Sequence, residues 1–582
     1  MTSVFDSRIL NLVIFSPLFF AALLVFLPKT EKWQIRALTL VGMLVNLVTC
    51  AWAWVRFIPN SPVEFQLEYR MRWIDELGLS YHVGVDGLAM TLVLLTGILG
   101  PLVVLASWTY IDERVKEFHL ALLVLQTAML GAVCALDVLL FYVFFEAMLI
   151  PMYLLIGVWG AEERQMAATK FFLYTLVGSL LMLVALLAAY FLAAPSGARS
   201  FDYATLYNGL MSLNREVAAC TAAGDCSNVS PGALAMVRWG PLMFLAFALA
   251  FAIKVPMFPV HTWLPDAHVQ APVAGSMILA GVMLKMGTFG FWRFAVPLFP
   301  VAARQYQLPI SILAVIGIVY GALMCLAQKD IKKLIAYSSV SHLGYCMLGM
   351  FAFTGEGATG SAYQMLNHGV STGALFLLFG FLYERRHARL MADYGGIAKV
   401  MPIFTAFFLV VTFSSIAVPG TNGFVGEFLV LLGTFKSNLP LWLAVAATTC
   451  VVLGAAYMLW MVQKVFFGTV THQENLGLKD LGVREVLAAV PLLALIAVMG
   501  LRPQPVLDVI NPSTQRFLAR ANYASGAADP GTEDSAVRIR VRSLPPKVAV
   551  ADATPPLPTP RFLPTGRILP GAAAAGLNPQ GP

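Results

Sequence analysis

The feature that most constrains this chain is a row of fourteen apolar stretches, each near the length that crosses a bilayer. About 20 apolar residues in a helix span the hydrocarbon layer. The stretches run over 9–27, 36–57, 86–107, 118–135, 138–159, 171–194, 239–260, 272–295, 309–327, 331–353, 363–383, 402–433, 441–466 and 485–501. They are continuous rather than ten-residue strands of alternating polarity, so they predict helices and not a barrel. Only 12% of the residues are charged, against about 25% in a soluble domain. The expected fold class is an all-α polytopic membrane protein with about fourteen transmembrane helices. The first stretch is already long enough to span, so it does not read as a cleavable leader.

Lysine and arginine in the loops set the orientation. Counting those at the adjoining stretch ends, seventeen lie with the loops joining stretches 1–2, 3–4, 5–6, 7–8, 9–10, 11–12 and 13–14, among them Lys29, Lys332, Lys333, Arg385 and Arg386. About ten lie on the other side, the tail excluded. The richer loops are therefore expected in the cytoplasm and both termini outside. The net charge of +7 is spread over short loops and the tail, with no basic face interleaved with aromatics. Nucleic acid is not an expected partner. Cys50, Cys134, Cys325, Cys346 and Cys450 sit in apolar stretches as small hydrophobes. No CxxC occurs, so metal or iron–sulfur ligation is not expected. Cys220 and Cys226 share a polar loop on the outer side. A disulfide between them is left open, because spacing alone does not fix the geometry. Residues 504–582, rich in Pro, Ala and Gly, are expected to be an extended tail.

Six ionisable residues lie inside six different stretches: Glu146, Lys254, Lys285, His342, His368 and Glu427. A charge at mid-membrane costs roughly 2.5–3.5 kcal/mol on insertion scales. Each residue alone has a plain explanation. A histidine can be a packing residue, a lysine can snorkel to the headgroups, and a glutamate can stay protonated. Six on six helices are poorly explained as independent accidents. A buried Glu–Lys pair is poised to release or capture a proton when its partners separate. Histidine passes a proton between its two ring nitrogens. No carboxylate cluster suggests a calcium site, and no GxxxxGK[ST] offers a phosphate cradle. His261 and His268 in "HTWLPDAH" have a spacing unsuited to helical zinc motifs and read as turn contacts at the membrane edge.

Two of these stretches are also broken. Pro256 and Pro259 follow Lys254, and Val418-Pro419-Gly420 precedes Glu427. Proline removes a backbone donor and frees a carbonyl one turn back. Freed backbone at this depth is tolerated where it lines a wet cavity or is buried in protein. The two breaks lie five stretches apart, an odd number, so two such units run in opposite directions, a pattern that points to a central ion pathway.

The segments "FFEAMLIPMYLLIGVWG", "KVPMFPVHTWLPDAHVQAPVAGSMILAGVMLKMG", "KDIKKLIAYSSVSHLGY" and "AVPGTNGFVGEF" resemble the antiporter-like proton-pumping subunits of respiratory complex I, the NADH:quinone oxidoreductase. The likeness covers roughly 1–505. It is to the M, or chain 4, branch, because the sister L and N chains usually carry lysine where Glu427 stands. The long lateral helix of the L chain is also missing. The resemblance implies three N-terminal helices (1–117), inverted five-helix repeats at 118–295, with an outer loop at 195–238, and at 296–480, and a last helix at 481–503. It implies Glu146 and Lys254 as the pair of a first half-channel and Lys285 as the central link. His342 and His368 would continue the axis, and Glu427 would end it. Asp137 is a weaker candidate for a link to a neighbouring subunit. The implied chain is a translocase subunit with no redox centre of its own. NADH, FMN, iron–sulfur clusters and quinone would belong to partner subunits. The L and N chains and the lipid of a bacterial inner membrane are the implied surroundings. The alternative is a subunit of a multisubunit cation/proton antiporter, which works without redox input. An inert structural anchor is a third reading.

Overall fold

The structure, a computed structural model, describes residues 8–194, 199–223 and 229–522. Each apolar stretch becomes helix. The first seven helices are α1 (Ile9–Phe26), α2 (Lys32–Arg56), α3 (Gly87–Ala106), α4 (Val115–Cys134), α5 (Val138–Trp159), α6 (Arg164–Ala193) and α7 (Tyr203–Ala223). There follow α8 (Pro231–Lys254), α9 (Trp263–Gln270), α10 (Val273–Leu298), α11 (Gln307–Ala327), α12 (Ile331–Phe351) and α13 (Gly355–Arg386). The last are α14 (Pro402–Ser415), α15 (Asn422–Phe435), α16 (Leu441–Phe466), α17 (Val483–Leu501) and α18 (Gln504–Asn522). Among the described residues, thirteen helices are long and apolar enough to cross a membrane. The twelfth stretch, 402–433, is shared by the shorter pair α14 and α15.

The breaks fall where proline dictates. Helix α8 stops at Lys254, and the stretch expected at 239–260 continues as the separate helix α9. The Ile253 carbonyl, left without a helical partner, accepts the indole N–H of Trp263 at 2.9 Å. Between α14 and α15 the Val418 amide reaches back to the Phe413 carbonyl at 3.0 Å. Gly420 there has φ of +94°, a conformation natural to glycine alone.

Polarity sorts the helices. The three least apolar long spans, α10, α12 and α13, are also the most enclosed, with 94% or more of their central stretch buried. For α16 and α17 the figure is 33%. Lipid accepts only apolar side chains, so polar residues collect on the helices that other helices surround. Close approach then depends on missing side chains. A Cβ at Gly287 of α10 would lie 2.7 Å from the Phe251 carbonyl oxygen of α8. One at Gly369 of α13 would lie 2.8 Å from the Gly281 carbonyl oxygen of α10. Cys50, Cys134, Cys325, Cys346 and Cys450 are buried and unpaired; the Cys220–Cys226 pairing left open above involves Cys226, which lies outside the described residues.

Two elements were not anticipated. A hairpin of β1 (Gln66–Ile74) and β2 (Leu79–Val85) precedes α3, with Arg70 opposite His82 and Arg72 opposite Ser80. The expected extended tail at 504–582 begins instead with α18. That helix buries Ile510 and Phe517 and stacks Phe517 on Trp292 of α10 at 4.2 Å. Its Arg520 pairs with Glu64 at 2.6 Å. Proline and alanine content hid an amphipathic pattern whose partners lie far off in sequence.

Asp137 is buried inside its own chain rather than offered to a neighbour. Its Oδ1 accepts the amides of Leu139 and Leu140, capping α5, and its Oδ2 accepts the amide of Ser80 in β2 at 3.1 Å. Burial pushes its carboxyl up to about 6, against the pull of the Ser80 and Leu140 amides. A carboxyl raised in the fold holds more protons there than in the unfolded chain. Its ionisation therefore costs stability, and the loss grows as pH rises from about 4 to about 6.

Two outcomes are expected. Gly287→Ala should lose about 1–3 kcal/mol through overpacking against backbone, read as a lower Tm of the detergent-solubilised protein. Gly355→Ala, where nothing lies within 4 Å, should leave Tm unchanged. Asp137→Asn keeps a cap acceptor but cannot ionise. It should flatten the fall of Tm between pH 4 and 6, a dependence worth roughly 3 kcal/mol at full effect.

Candidate functional site

The six ionisable residues fall into two groups. The first is Glu146 of α5 with Lys254, the last residue of α8. Lys254 is 1% exposed, yet its Nζ has no hydrogen-bond partner. It rests 4.4 Å from the ring centre of Phe145, a cation–π contact that partly replaces lost hydration. Glu146 is half-buried, and its Oε1 is also without a partner. The two charges act on each other through space. Among the described residues no ion pair within 4.0 Å joins them.

The second group is connected. Lys285, 0% exposed on α10, places its Nζ 2.6 Å from His368 Nδ1 on α13 and also donates to the Ala280 carbonyl. That carbonyl belongs to a π-helical turn at Leu279–Met283, and such turns loosen the backbone ladder and recur at functional sites. A second π turn follows at Phe291–Ala295. The His368 ring lies 6.1 Å from that of His342 on α12, centre to centre. His342 Nδ1 is 2.9 Å from Glu427 Oε1 on α15. The same oxygen accepts from Gln364 Nε2 at 3.1 Å, and Gln364 accepts from Asn367 at 3.0 Å. Lys285, His368, His342 and Glu427 thus form one continuous polar line through the three most buried helices to the second break.

A small polar cavity opens beside this line, walled by His342, His368, Asn367, Glu427, Ser371 and Ser414. It has room for about one water molecule. Two buried polar atoms of its walling residues, His368 Nε2 and Asn367 Oδ1, have no protein partner. Water is the group that satisfies such atoms. Ser371 and Ser414 hydroxyls lie 2.5 Å apart, and Ser414 also donates to Asn422 Oδ1.

Sequence reasoning missed these hydroxyls and amides, which carry no charge to betray them. It also passed over Arg293, although the arginine stands in the apolar run "FWRF". Arg293 is 4% exposed and pairs with Asp86 at 2.6 Å. His261, in the turn between α8 and α9, and His268, on α9, are both buried. They are 2% and 0% exposed. His261 packs against Phe258 and Tyr320, and His268 stacks on Phe376 of α13 at 4.5 Å. The helix α9, formed after the break, carries His268 back into the bundle.

Comparisons with known proteins agree in kind. Residues 135–454 match the family model described as NADH:quinone oxidoreductase/Mrp antiporter, transmembrane. NADH-quinone oxidoreductase subunit M of Rhodobacter capsulatus is 44% identical over 533 residues, which cover 90% of this chain and 98% of that one. NADH-ubiquinone oxidoreductase chain 4 of Marchantia polymorpha is 37% identical over 520 residues, covering 89% and 98%. A chain of the respiratory complex I structure from Thermus thermophilus superposes with a TM-score of 0.76 at 34% identity, covering 88% and 99%. A chain of the Mrp complex from Dietzia superposes with a TM-score of 0.73 at 18% identity, covering 90% and 99%, a likeness of fold alone.

Proposed function

Given that the chain belongs to the family of NADH-quinone oxidoreductase subunit M proteins, we propose that the line Lys285–His368–His342–Glu427 is its proton path and that Glu146 and Lys254 load it. The chain is a proton-pumping, antiporter-like subunit of the complex I membrane arm. One observation carries the assignment of the path: four titratable side chains follow one another across α10, α13, α12 and α15, in two hydrogen-bonded pairs whose histidine rings lie 6.1 Å apart, ending at a broken helix.

The chemistry follows from the contacts. A proton passed from Lys285 Nζ to His368 Nδ1 lets the other ring nitrogen release one. The gap of 6.1 Å between ring centres is bridgeable by a single water, which the adjoining cavity can hold. His342 then transfers to Glu427, whose Oε1 it already contacts. At the other end, Lys254 and Glu146 stand apart. Bringing them together stabilises the Lys254 charge; separating them favours its release toward Lys285. Redox energy from partner subunits supplies the change.

In this reading the chain acts as a translocase subunit and holds no redox centre; NADH, FMN, iron–sulfur clusters and quinone are bound by partners. Its neighbours are the L and N chains. It lies in a bacterial inner membrane with both termini outside, as the lysine and arginine bias supports, and its two breaks occupy equivalent places in inverted repeats. The cation/proton antiporter reading is disfavoured by Glu427, which is paired with His342 rather than being a lysine.

Glu146→Ala and Lys254→Ala complexes should assemble, seen on native gels, and should lose NADH-driven proton pumping in membrane vesicles by about 10²-fold or more. Full pumping by both assembled variants would refute the assignment. Cation-driven proton exchange without NADH would favour the antiporter instead.

A further inference from the structure

Gln364 of α13 is a buried polar residue that touches the path above without carrying its protons. It is 2% exposed, and Asn367, one turn further along α13, is 1% exposed. Two uncharged amides deep in an apolar bundle are unfavourable unless their hydrogen bonds are met. Here the bonds run in one direction. Asn367 Nδ2 donates to Gln364 Oε1 at 3.0 Å, and Gln364 Nε2 donates to Glu427 Oε1 at 3.1 Å. The amide pair thus ends on the carboxylate beside the second break. The oxygen it reaches is the one that meets His342 Nδ1 at 2.9 Å. A carboxylate oxygen offers two lone pairs. The amide of Gln364 takes one, and the other is left for the imidazole.

The backbone leaves room for this pair. Residue 426, just before Glu427, is glycine. A Cβ there would collide with Gln364 Oε1 and lie 2.5 Å from Asn367 Nδ2. A glycine inside a helix is unfavourable by itself, and at this position it admits the two amides. Gly360, one turn before Gln364, brings the helices together. A Cβ on it would lie 2.5 Å from the Val430 amide nitrogen of α15. Gln364 therefore projects from a helix packed tightly against the one that carries Glu427. A glutamate side chain has three rotatable bonds, and holding its carboxylate in one orientation takes a fixed contact. An amide suits that task, because it keeps its donor hydrogens whatever the protonation of its neighbours.

We propose that Gln364, braced by Asn367, is a positioning residue for the last transfer of the path: it holds Glu427 Oε1 toward His342 Nδ1. The inference rests on the path proposed above. In that transfer the Nδ1–H bond of the imidazolium breaks and an O–H bond forms on Glu427. The imidazole is left neutral, the carboxylate becomes the acid, and no further reactant takes part. Gln364 keeps its own hydrogens and fixes where the carboxyl group stands before and after.

The test uses the intact complex in inner-membrane vesicles. Gln364→Met keeps length and volume but has no N–H to donate. NADH-driven pumping by the assembled variant should fall roughly tenfold or more. The infrared difference spectrum between oxidised and NADH-reduced complex gives a second reading. Gln364→Met should displace the carboxyl band that Glu427→Gln removes, because that band reports the hydrogen bonds of the carboxyl group. A structural role would lower pumping and leave the band in place. That result overturns the proposal, and so does wild-type pumping. Gly426→Ala retains both amides but drives them off the carboxylate. It should displace the same band, and the double variant should lose no more than the worse single one. If Gln364→Met fails to assemble, Gln364→Asn, whose amide falls one methylene short, is read by the same two measures. If Glu427→Gln pumps like the wild type, the path falls and the proposal with it. If Glu427→Gln stops pumping while Gln364→Met pumps normally, Gln364 is not the positioning residue and the path stands.

Discussion

No water is present in hydrocarbon to satisfy a charge or a free amide, so every polar group that enters the bilayer must find its partner inside the protein. The arrangement of this chain follows from that. Its most polar spans, α10, α12 and α13, are walled in by the more apolar ones. Gly369 lets α13 approach α10, and Gly287 lets α10 approach α8, until backbone nearly touches backbone. Lys285 can then reach His368, and His342 can reach Glu427, without crossing lipid.

The same constraint makes the unsatisfied groups informative. Lys254 Nζ, Glu146 Oε1, His368 Nε2 and both nitrogens of His268 are buried without partners. These atoms lie near the two breaks and between them, although others are spread through the chain, Arg293 Nε and Arg520 Nε among them. The two ends of the proposed path also differ. Glu427 is in contact with His342, whereas Glu146 and Lys254 are apart. A device that moves charge needs such an asymmetry, because a pair that is always closed neither takes up nor releases a proton.

Much of this was legible in the sequence because it shows as contrast. Lys254, Lys285 and Glu427 stand out against apolar neighbours, and Pro256 and Pro419 mark the breaks to within a few residues. What stayed hidden depends on contacts distant in sequence or on residues that blend in. The hairpin 66–85 and helix α18 are polar and mixed, and their stability comes from pairings such as Arg520 with Glu64 and Ser80 with Asp137. Ser371, Ser414 and Gln364 look like ordinary helix residues until three helices bring them to one cavity. His268 read as a turn contact because it follows the prolines of "HTWLPDAH", whereas the chain is helical there and buries it against Phe376.

The central claim is that Lys285, His368, His342 and Glu427 conduct protons as one line. The most direct test is the number of protons moved per NADH oxidised by vesicles carrying assembled His368→Leu complex, beside the wild type. Interrupting the line at its middle should lower that ratio or stop coupled turnover altogether. An unchanged ratio at an unchanged rate would contradict the account.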